Sequence, residues 1–280
     1  MVDGVGLGYG PRRTALDQVL VQAAVEAGTE LREGFAVEDF VADGDRIVGI
    51  RGRDRAGGAT VTERARVTVG ADGRHSRLAA AVRAPEYETA PTLMCWYFSY
   101  WSGVAPAGIE TYIRGHRALF THPTNDGLFC VLVAWPIAEQ RRVQADLEGE
   151  FLAAVDLVPG VAERVWGGRR EERFYGATNL PNFLRKPYGP GWALVGDAGC
   201  HKDPYLALGI GDTFRDVDLL AEALDDGLAG RRPFDEALAD YRQNIALAQF
   251  TPPRSRRGGC ATRCAATRRR RINSGWRPRG

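Results

Sequence analysis

The stretch ALVGDAGCHKDPYLALGIGDTF, residues 193–214, places an acid and several glycines where a ligand with phosphates or a polar ring could bind. Residues 192–195 are predicted to form a strand that ends at Gly196 and Asp197. A carboxylate at the carboxyl end of such a strand can accept hydrogen bonds from a sugar hydroxyl. Gly209 and Gly211 are predicted to lie in front of a helix over residues 214–228, whose free N–H groups favour an anion. A Gly-Asp pair is also common in ordinary turns, so this stretch alone does not identify a ligand.

Two further motifs make a ligand-binding interpretation of the first one more specific. VGADGRHSR, residues 69–77, places another acid–glycine pair, Asp72 and Gly73, at the end of a predicted strand. Arg13 precedes a predicted helix over residues 14–27, in the spacing Arg13-x-x-Leu16-x-x-x-Leu20. The three motifs in this order are much more specific than any one of them.

The three motifs resemble those of the flavoprotein aromatic hydroxylases, or group A monooxygenases, which have the p-hydroxybenzoate hydroxylase fold. The Arg-x-x-Leu-x-x-x-Leu helix of that family is similar to residues 13–20, its DG stretch to residues 70–79 and its GD stretch to residues 193–204. The resemblance spans roughly residues 12–245. The fold that it implies is α/β (α+β): a truncated, Rossmann-like FAD/NAD(P)-binding domain with an inserted, mostly antiparallel β-sheet substrate domain.

The resemblance implies FAD as the cofactor and NADPH or NADH as the reductant. Arg13 would approach the phosphates, the backbone of Val37 would meet the adenine, and Asp197 would accept from the ribityl chain. Asp72 would serve cofactor and nicotinamide nucleotide, largely by bonding neighbouring backbone. The full set of implied cofactor-binding residues is Arg13, Val37, Asp72, Gly73, Gly196, Asp197, Pro204, Gly209, Ile210 and Gly211.

The activity that the resemblance implies is hydroxylation of an aromatic or polyketide-like small molecule through a flavin C4a-hydroperoxide. Because the flavin carries the oxygen chemistry, no side chain is singled out as a catalytic acid or base. One alternative is a flavin-dependent reductase of prenyl double bonds, which shares the scaffold. Another is a truncated, non-catalytic remnant, since the chain lacks the strand–GxGxxG–helix unit with which the family begins.

The domain boundaries follow from changes in composition along the chain. Residues 85–135 are aromatic and alternating, which predicts an antiparallel sheet, with a hairpin reversal at residues 124–127. Before them we expect a short strand over residues 30–35 and a three-stranded antiparallel meander. The predicted divisions are a partial FAD-binding domain (1–84), the substrate domain (85–180), a return to the FAD-binding domain (181–250) and a disordered, arginine-rich tail (251–280).

The charge distribution gives no reason to expect a nucleic-acid partner. The tail after residue 250 holds ten of the 37 basic residues and no acid, so the first 250 residues carry 27 basic and 35 acidic groups. Binding to phosphates needs clustered Lys and Arg on a folded surface. The partner that we expect is a small-molecule substrate.

The remaining residues indicate a reduced, cytoplasmic protein with neither metal nor membrane partner. The five cysteines are scattered and odd in number, and the uncharged run over residues 89–109 is interrupted by prolines. His201, Lys202 and Asp203 are either a phosphate- or substrate-binding cluster or a polar loop surface. The position of Asp212 leaves its compatibility with a flavin open, because a carboxylate beside a flavin would oppose the negative charge that reduction adds.

Overall fold

The computed structural model describes residues 9–250, with side chains over residues 9–245. The expectations for residues 1–8 and for the tail 251–280 lie outside the described residues. The described residues up to Asp218 form one compact unit, and those from Leu219 onward form a second.

The elements of the first unit follow one another along the chain as short helices and strands. The first part contains α1 (Arg13–Glu26), β1 (Phe35–Asp43), β2 (Arg46–Asp54), β3 (Val61–Arg64), β4 (Thr68–Gly70), α2 (Arg77–Ala81) and β5 (Glu86–Ala90). The middle part contains β6 (Met94–Ser102), β7 (Glu110–Arg114), β8 (Arg117–Pro123), β9 (Phe129–Pro136), α3 (Gln140–Ala145), α4 (Leu147–Asp156) and α5 (Pro159–Trp166). The last part contains β10 (Arg169–Arg170), β11 (Tyr175–Ala177), β12 (Asn182–Arg185), β13 (Tyr188–Gly189), β14 (Trp192–Leu194), β15 (Cys200–His201), α6 (Gly209–Leu228) and α7 (Phe234–Phe250).

The strands β1, β2 and β3 form the predicted antiparallel meander. The short strand expected over residues 30–35 was wrong, because the strand begins only at Phe35. Gly34 has φ +68° and lies in a turn, where its carbonyl accepts from the Arg55 N–H at 2.8 Å. A left-handed glycine ends extended structure at that point, so the preceding residues do not join the sheet.

The aromatic stretch forms the predicted antiparallel sheet, in the order β10-β6-β9-β8-β7, with β11 also paired to β6. One face of it packs on α4 and α5 in a core that contains Trp101, Trp135 and Phe151. The rings of Trp101 and Phe151 stack with their centroids 5.7 Å apart. The hairpin reversal between β8 and β9 is also confirmed, as a short 3-10 helix over Asn125–Gly127.

Two smaller sheets contain the strands that lead to residues 193–214, the first motif of the sequence analysis. One is β15-β12-β5, and the other is β13-β14-β4, in which β14 and β4 form the one parallel pair among the described strands. The two strands of that pair therefore end at the same edge. The second unit consists of the last part of α6 and α7, where Arg232 pairs with Asp240 at 2.8 Å.

The described residues contain no helix long and apolar enough to cross a membrane. Over the same residues, no group of three or more His, Cys, Asp and Glu side chains could hold a metal ion. The mixed α/β class with mainly antiparallel sheets agrees with the fold predicted from the sequence.

Candidate cofactor-binding site

A cleft of about 430 Å³ lies between α1, the first turns of α6 and the shared edge of β4 and β14. Six of the residues predicted from the sequence line it: Arg13, Gly73, Gly196, Asp197, Gly209 and Ile210. The other lining residues are Leu16, Asp17, Leu20, Ala71, Val195, Thr213, Phe214 and Val217. Three segments far apart in the sequence therefore meet at one opening.

The parallel pair explains why two of these segments meet. Ala193 pairs with Val69 and Leu194 with Gly70, so both strands deliver the chain to the cleft in the same direction. Adjacent parallel strands place the residues after them at one edge of the sheet, where ligands of open α/β sheets bind. The acid–glycine corners at Asp72 and Asp197 are consequently neighbours.

The corner at Gly196 requires glycine. Its φ of +60° is left-handed, and an added Cβ would lie 3.2 Å from the Thr213 side chain. Gly73 is also left-handed, with φ +77°, but an added Cβ there would meet nothing within 4 Å. Gly196 therefore lets the strand turn tightly beneath α6, and Gly73 leaves its main chain open to the cleft.

The charges in the cleft come from one cation and two acids. Arg13 Nε lies 2.9 Å from Asp17 Oδ1, one helical turn along α1. The hydrogen bond that Arg13 donates to Asp17, together with attraction to Asp17 and Asp197, raises the pKa of Arg13, although partial burial opposes this. Asp197 is exposed to the cleft, between buried neighbours on both sides. A ligand there meets a guanidinium and a carboxylate at the same opening.

The start of α6 differs from the prediction. The helix begins at Gly209 rather than at Phe214, so Gly209 and Gly211 occupy its first turn. The Asp212 N–H donates to the Leu208 carbonyl at 2.8 Å, and Thr213 Oγ1 donates to the Gly209 carbonyl at 2.8 Å, which extends the helix backwards. Added Cβ atoms at Gly209 and Gly211 would meet nothing within 4 Å, so the amino end of the helix has open main chain.

Four of the predicted cofactor residues are not among the lining residues: Val37, Asp72, Pro204 and Gly211. Asp72 Oδ2 accepts from the Arg77 N–H at 2.7 Å, which is a bond to neighbouring backbone. The Arg77 guanidinium donates to the carbonyls of Val37 and Glu38, so the Val37 oxygen already has a partner. Pro204 begins a 3-10 helix that leads towards α6.

Several residues at the site were not singled out from the sequence. Asp17 was detectable, because it lies four residues after Arg13 on a predicted helix, where opposite charges pair. Thr213 and Val217 follow Gly209 at intervals of four on α6, but the late predicted start of that helix concealed them.

The aromatic residues divide between the two faces of the large sheet. Tyr97, Trp101 and Trp135 belong to the core against α4 and α5. Trp96 faces the other way and packs beside Phe120 and Tyr205, with ring centroids 5.5 and 6.3 Å away. Only this second face approaches the loop that leads into α6.

The types and arrangement of the residues fit FAD. The cleft offers a guanidinium for phosphates, a strand-end carboxylate for hydroxyls, and glycine main chain at a helix amino end, which favours anions. The open positions next to Gly73, Gly209 and Gly211 leave room for a ligand against the backbone.

Comparisons with known proteins agree with this fit. Residues 11–144 match the family model of the FAD binding domain. A tryptophan 2-halogenase of Chondromyces crocatus is 23% identical over 250 residues, which are 83% of this chain and 46% of that protein. The chain thus spans about half the length of that relative.

Solved structures of flavoenzymes share the fold. The myxobacterial chondrochloren halogenase CndH matches with a TM-score of 0.79 and 22% identity, over 87% of this chain and 58% of that one. PqsL, a probable FAD-dependent monooxygenase from Pseudomonas aeruginosa, matches with a TM-score of 0.67 and 22% identity, over 83% and 64%. The Rossmann-like flavoprotein fold predicted from the sequence is confirmed by these structures, and residues 11–144 match the FAD binding domain.

Proposed function

We propose that the chain binds FAD in the cleft between α1 and α6 and belongs to an oxygenase that hydroxylates an aromatic or polyketide-like small molecule. NADPH or NADH is the proposed reductant. The observation that carries the proposal is the meeting of Arg13, Gly73, Gly196, Asp197 and Gly209 at one opening. When bound, FAD supplies the oxidation–reduction chemistry, and the protein supplies binding, orientation and electrostatics.

Each lining residue has a role that its chemistry supports. Arg13 binds the phosphates, with Asp17 fixing its guanidinium from the next turn of α1. Asp197 accepts a hydrogen bond from a hydroxyl of the ribityl chain. The main chain at Gly209 and Ile210 lies at the amino end of α6, where free N–H groups and the helix dipole stabilise negative charge.

The preference for an aromatic substrate is supported by the open face of the large sheet. Phe98, Tyr100, Phe120 and Tyr175 are all half-buried there. The rings of Phe98 and Tyr175 stack with centroids 5.2 Å apart, so this face of the sheet is rich in aromatic side chains. A planar substrate gains by stacking against such rings.

Halogenation of an aromatic compound is the second candidate. It is favoured by the similarity to a tryptophan 2-halogenase and to the halogenase CndH. Both candidates use the same cofactor and the same substrate class, but halogenation also consumes a halide ion, so they differ in their need for halide and in the product.

The first experiment measures FAD binding to the purified chain by quenching of flavin fluorescence. We expect saturable binding, and we expect Asp197→Ala to weaken it at least tenfold, or about 1.4 kcal/mol. Asp45→Ala is the control, since Asp45 is an equally exposed acid in the turn between β1 and β2. A folded chain that does not bind FAD contradicts the proposal.

The second experiment separates the two activities. The protein is incubated in air with FAD, a flavin-reducing system and a panel of phenols and indoles, with and without chloride or bromide. Products heavier by one oxygen atom, independent of halide, support hydroxylation. Products that carry the added halogen support the second candidate. A parallel incubation without air and with prenyl lipids tests the reductase alternative, and reduced lipids formed there would contradict both candidates.

A further inference from the structure

The segment His201–Lys202–Asp203, for which the sequence leaves open a binding cluster or a polar loop surface, is held by contacts within the protein. Each of its side chains bonds to a different part of the first unit. His201 is buried, and its Nδ1 lies 2.5 Å from the carbonyl oxygen of Pro181. The backbone N–H of Asp203 donates to Asn182 Oδ1 at 2.8 Å, which fixes the segment beside β12.

The side chains of Lys202 and Asp203 bond to two different elements, namely α6 beside the cleft and β6 of the aromatic sheet. Lys202 Nζ donates to Asp212 Oδ2 in the first turns of α6, at 2.5 Å. Asp203 Oδ2 accepts from the indole N–H of Trp96, on β6 of the aromatic sheet, at 3.3 Å. Two consecutive residues therefore connect the helix at the cleft to the sheet.

Asp203 also fixes the start of the chain that leads into the cleft. Its Oδ1 accepts from the Tyr205 N–H at 3.0 Å and caps the 3-10 helix Pro204–Leu206. The Tyr205 ring lies edge-on to both Trp96 and Phe120, with centroids 6.3 and 6.0 Å away. One carboxylate thus holds the sheet with one oxygen and the loop with the other.

Residues 204–210, which lead from Asp203 into the first turn of α6, lie at the surface. All seven of these residues are exposed, and Ala207 has the left-handed φ of +53° that only glycine adopts without strain. Exposed segments with few buried apolar contacts open most easily. The polar contacts of Lys202 and Asp203 join this exposed segment to α6 on one side and to the aromatic sheet on the other.

We propose that Asp203 is a positioning residue, which holds residues 204–211 in place against the aromatic sheet and so sets the affinity of the cleft for FAD. This inference rests on the proposed function for its ligand, but its structural part does not. A loop that is already in place loses less conformational entropy when a ligand binds, so the affinity depends on the contact between Trp96 and Asp203.

The test compares Trp96→Phe, Asp203→Ala, Asp203→Asn and the Trp96→Phe/Asp203→Ala double variant with the wild type. Hydrogen–deuterium exchange over residues 204–211, measured without FAD, shows how firmly this segment is held. Fluorescence titration with FAD measures the affinity. Trp96→Phe keeps an aromatic ring but removes the N–H donor and some buried volume, so the comparison with the Asp203 variants separates the hydrogen bond from the packing.

The same chain offers a matched control pair. Trp166 Nε1 donates to Asp156 Oδ1 at 2.9 Å, so it is also an indole–carboxylate bond, but it joins α5 to α4. Trp166→Phe and Asp156→Ala are expected to leave both the exchange of residues 204–211 and the FAD affinity at wild-type values. A change in these controls would show that any indole–carboxylate bond affects the readouts, and would overturn the inference.

We expect Trp96→Phe and Asp203→Ala each to speed exchange over residues 204–211 and to weaken FAD binding about tenfold. The double variant is expected to match Asp203→Ala, because both changes break the bond between Trp96 and Asp203 and Asp203→Ala also removes the cap on Tyr205. Asp203→Asn retains one carbonyl acceptor, so its exchange rate and its FAD affinity are expected to lie between those of the wild type and those of Asp203→Ala. Unchanged exchange, or fully additive losses, overturns the inference. If the wild type binds no FAD, the proposed function fails, and the exchange data alone still decide whether these residues position the loop.

Discussion

Lys202 and Asp212 form an ion pair at the base of the loop that leads into α6, with Nζ 2.5 Å from Oδ2. The other carboxylate oxygen of Asp212 lies 2.6 Å from the Arg215 guanidinium, and Arg215 in turn pairs with the buried Asp216. The negative charge of Asp212, which the sequence suggested would oppose a reduced flavin, is therefore balanced by two cations. In such a row of alternating charges, each ion pair strengthens the electrostatic attraction in the next.

Asp212→Asn is expected to destabilise the fold by about 1 kcal/mol, because it leaves Lys202 without its carboxylate and Arg215 with one acid instead of two. Urea denaturation measures the change. Asp225→Asn is the control, since Asp225 pairs with Arg231 at an exposed position, and we expect no measurable effect there. An unchanged urea midpoint for Asp212→Asn would contradict the prediction.

Gly196→Ala is expected to destabilise the fold by about 1–2 kcal/mol, because an L-residue is strained at φ +60°. The new Cβ would also approach Thr213 at 3.2 Å. Gly199→Ala, three residues along, is the matched control, since Gly199 has φ −102° and its Cβ would make ordinary contacts at 3.5 Å. Denaturation of both variants gives the comparison, and equal losses would refute the argument from backbone conformation.

Glu110 is expected to make stability depend on acid pH. Burial raises the pKa of this carboxyl, but hydrogen bonds from Arg164, Tyr112 and Thr121 outweigh burial and lower it below 4.5. A depressed folded-state pKa contributes stability that is present above the unfolded value and is lost as the pH falls through the folded value. The wild type should therefore lose stability below about pH 4.5, and Glu110→Gln should lose less over the same range while being less stable at pH 7.

The measurement for Glu110 is the urea midpoint between pH 7 and pH 3. Glu33→Gln, at an exposed position, is the control and should follow the wild type. Parallel pH profiles for Glu110→Gln and the wild type would show that Glu110 does not contribute to the acid transition.

The buried thiols of Cys130 and Cys200 are expected to resist alkylation in the native protein. Burial raises the pKa of each to about 12. The thiolate is the nucleophile, so at pH 8 the reactive fraction is of order one in ten thousand. Iodoacetamide labelling followed by peptide mass spectrometry should find these two peptides unmodified in buffer and modified in urea. Rapid labelling without denaturant would contradict the prediction.

The parts of the fold predicted from the sequence are those with a local signal. α1 follows from apolar residues at three- and four-residue intervals, and the meander follows from the reversals after Asp43 and Arg55. The start of α6 was placed five residues late because Gly209 and Gly211 have poor helix propensity. There, hydrogen bonds by Asp212 and Thr213 outweigh propensity.

The features of the candidate site also divide into those with a local sequence signal, which could be predicted, and those without one. The corners at Asp72 and Asp197 could be predicted, because an acid beside a glycine after a strand is visible within a few residues. The bond between Trp96 and Asp203 could not, because it joins positions 107 residues apart and depends on which face of β6 Trp96 occupies. Lys202 and Asp212 are closer in sequence, but a loop separates them, so no fixed spacing signals their pairing.

The parallel pairing of β4 with β14 has a consequence for how the molecule assembles. The two strands lie roughly 120 residues apart in sequence, with the whole aromatic sheet between them. Contacts of such long separation form late, since closing a long loop loses entropy before the contact compensates for it. We therefore expect the cleft, which lies at the end of this strand pair, to form late in folding, so that FAD binding would report that the pair is in place.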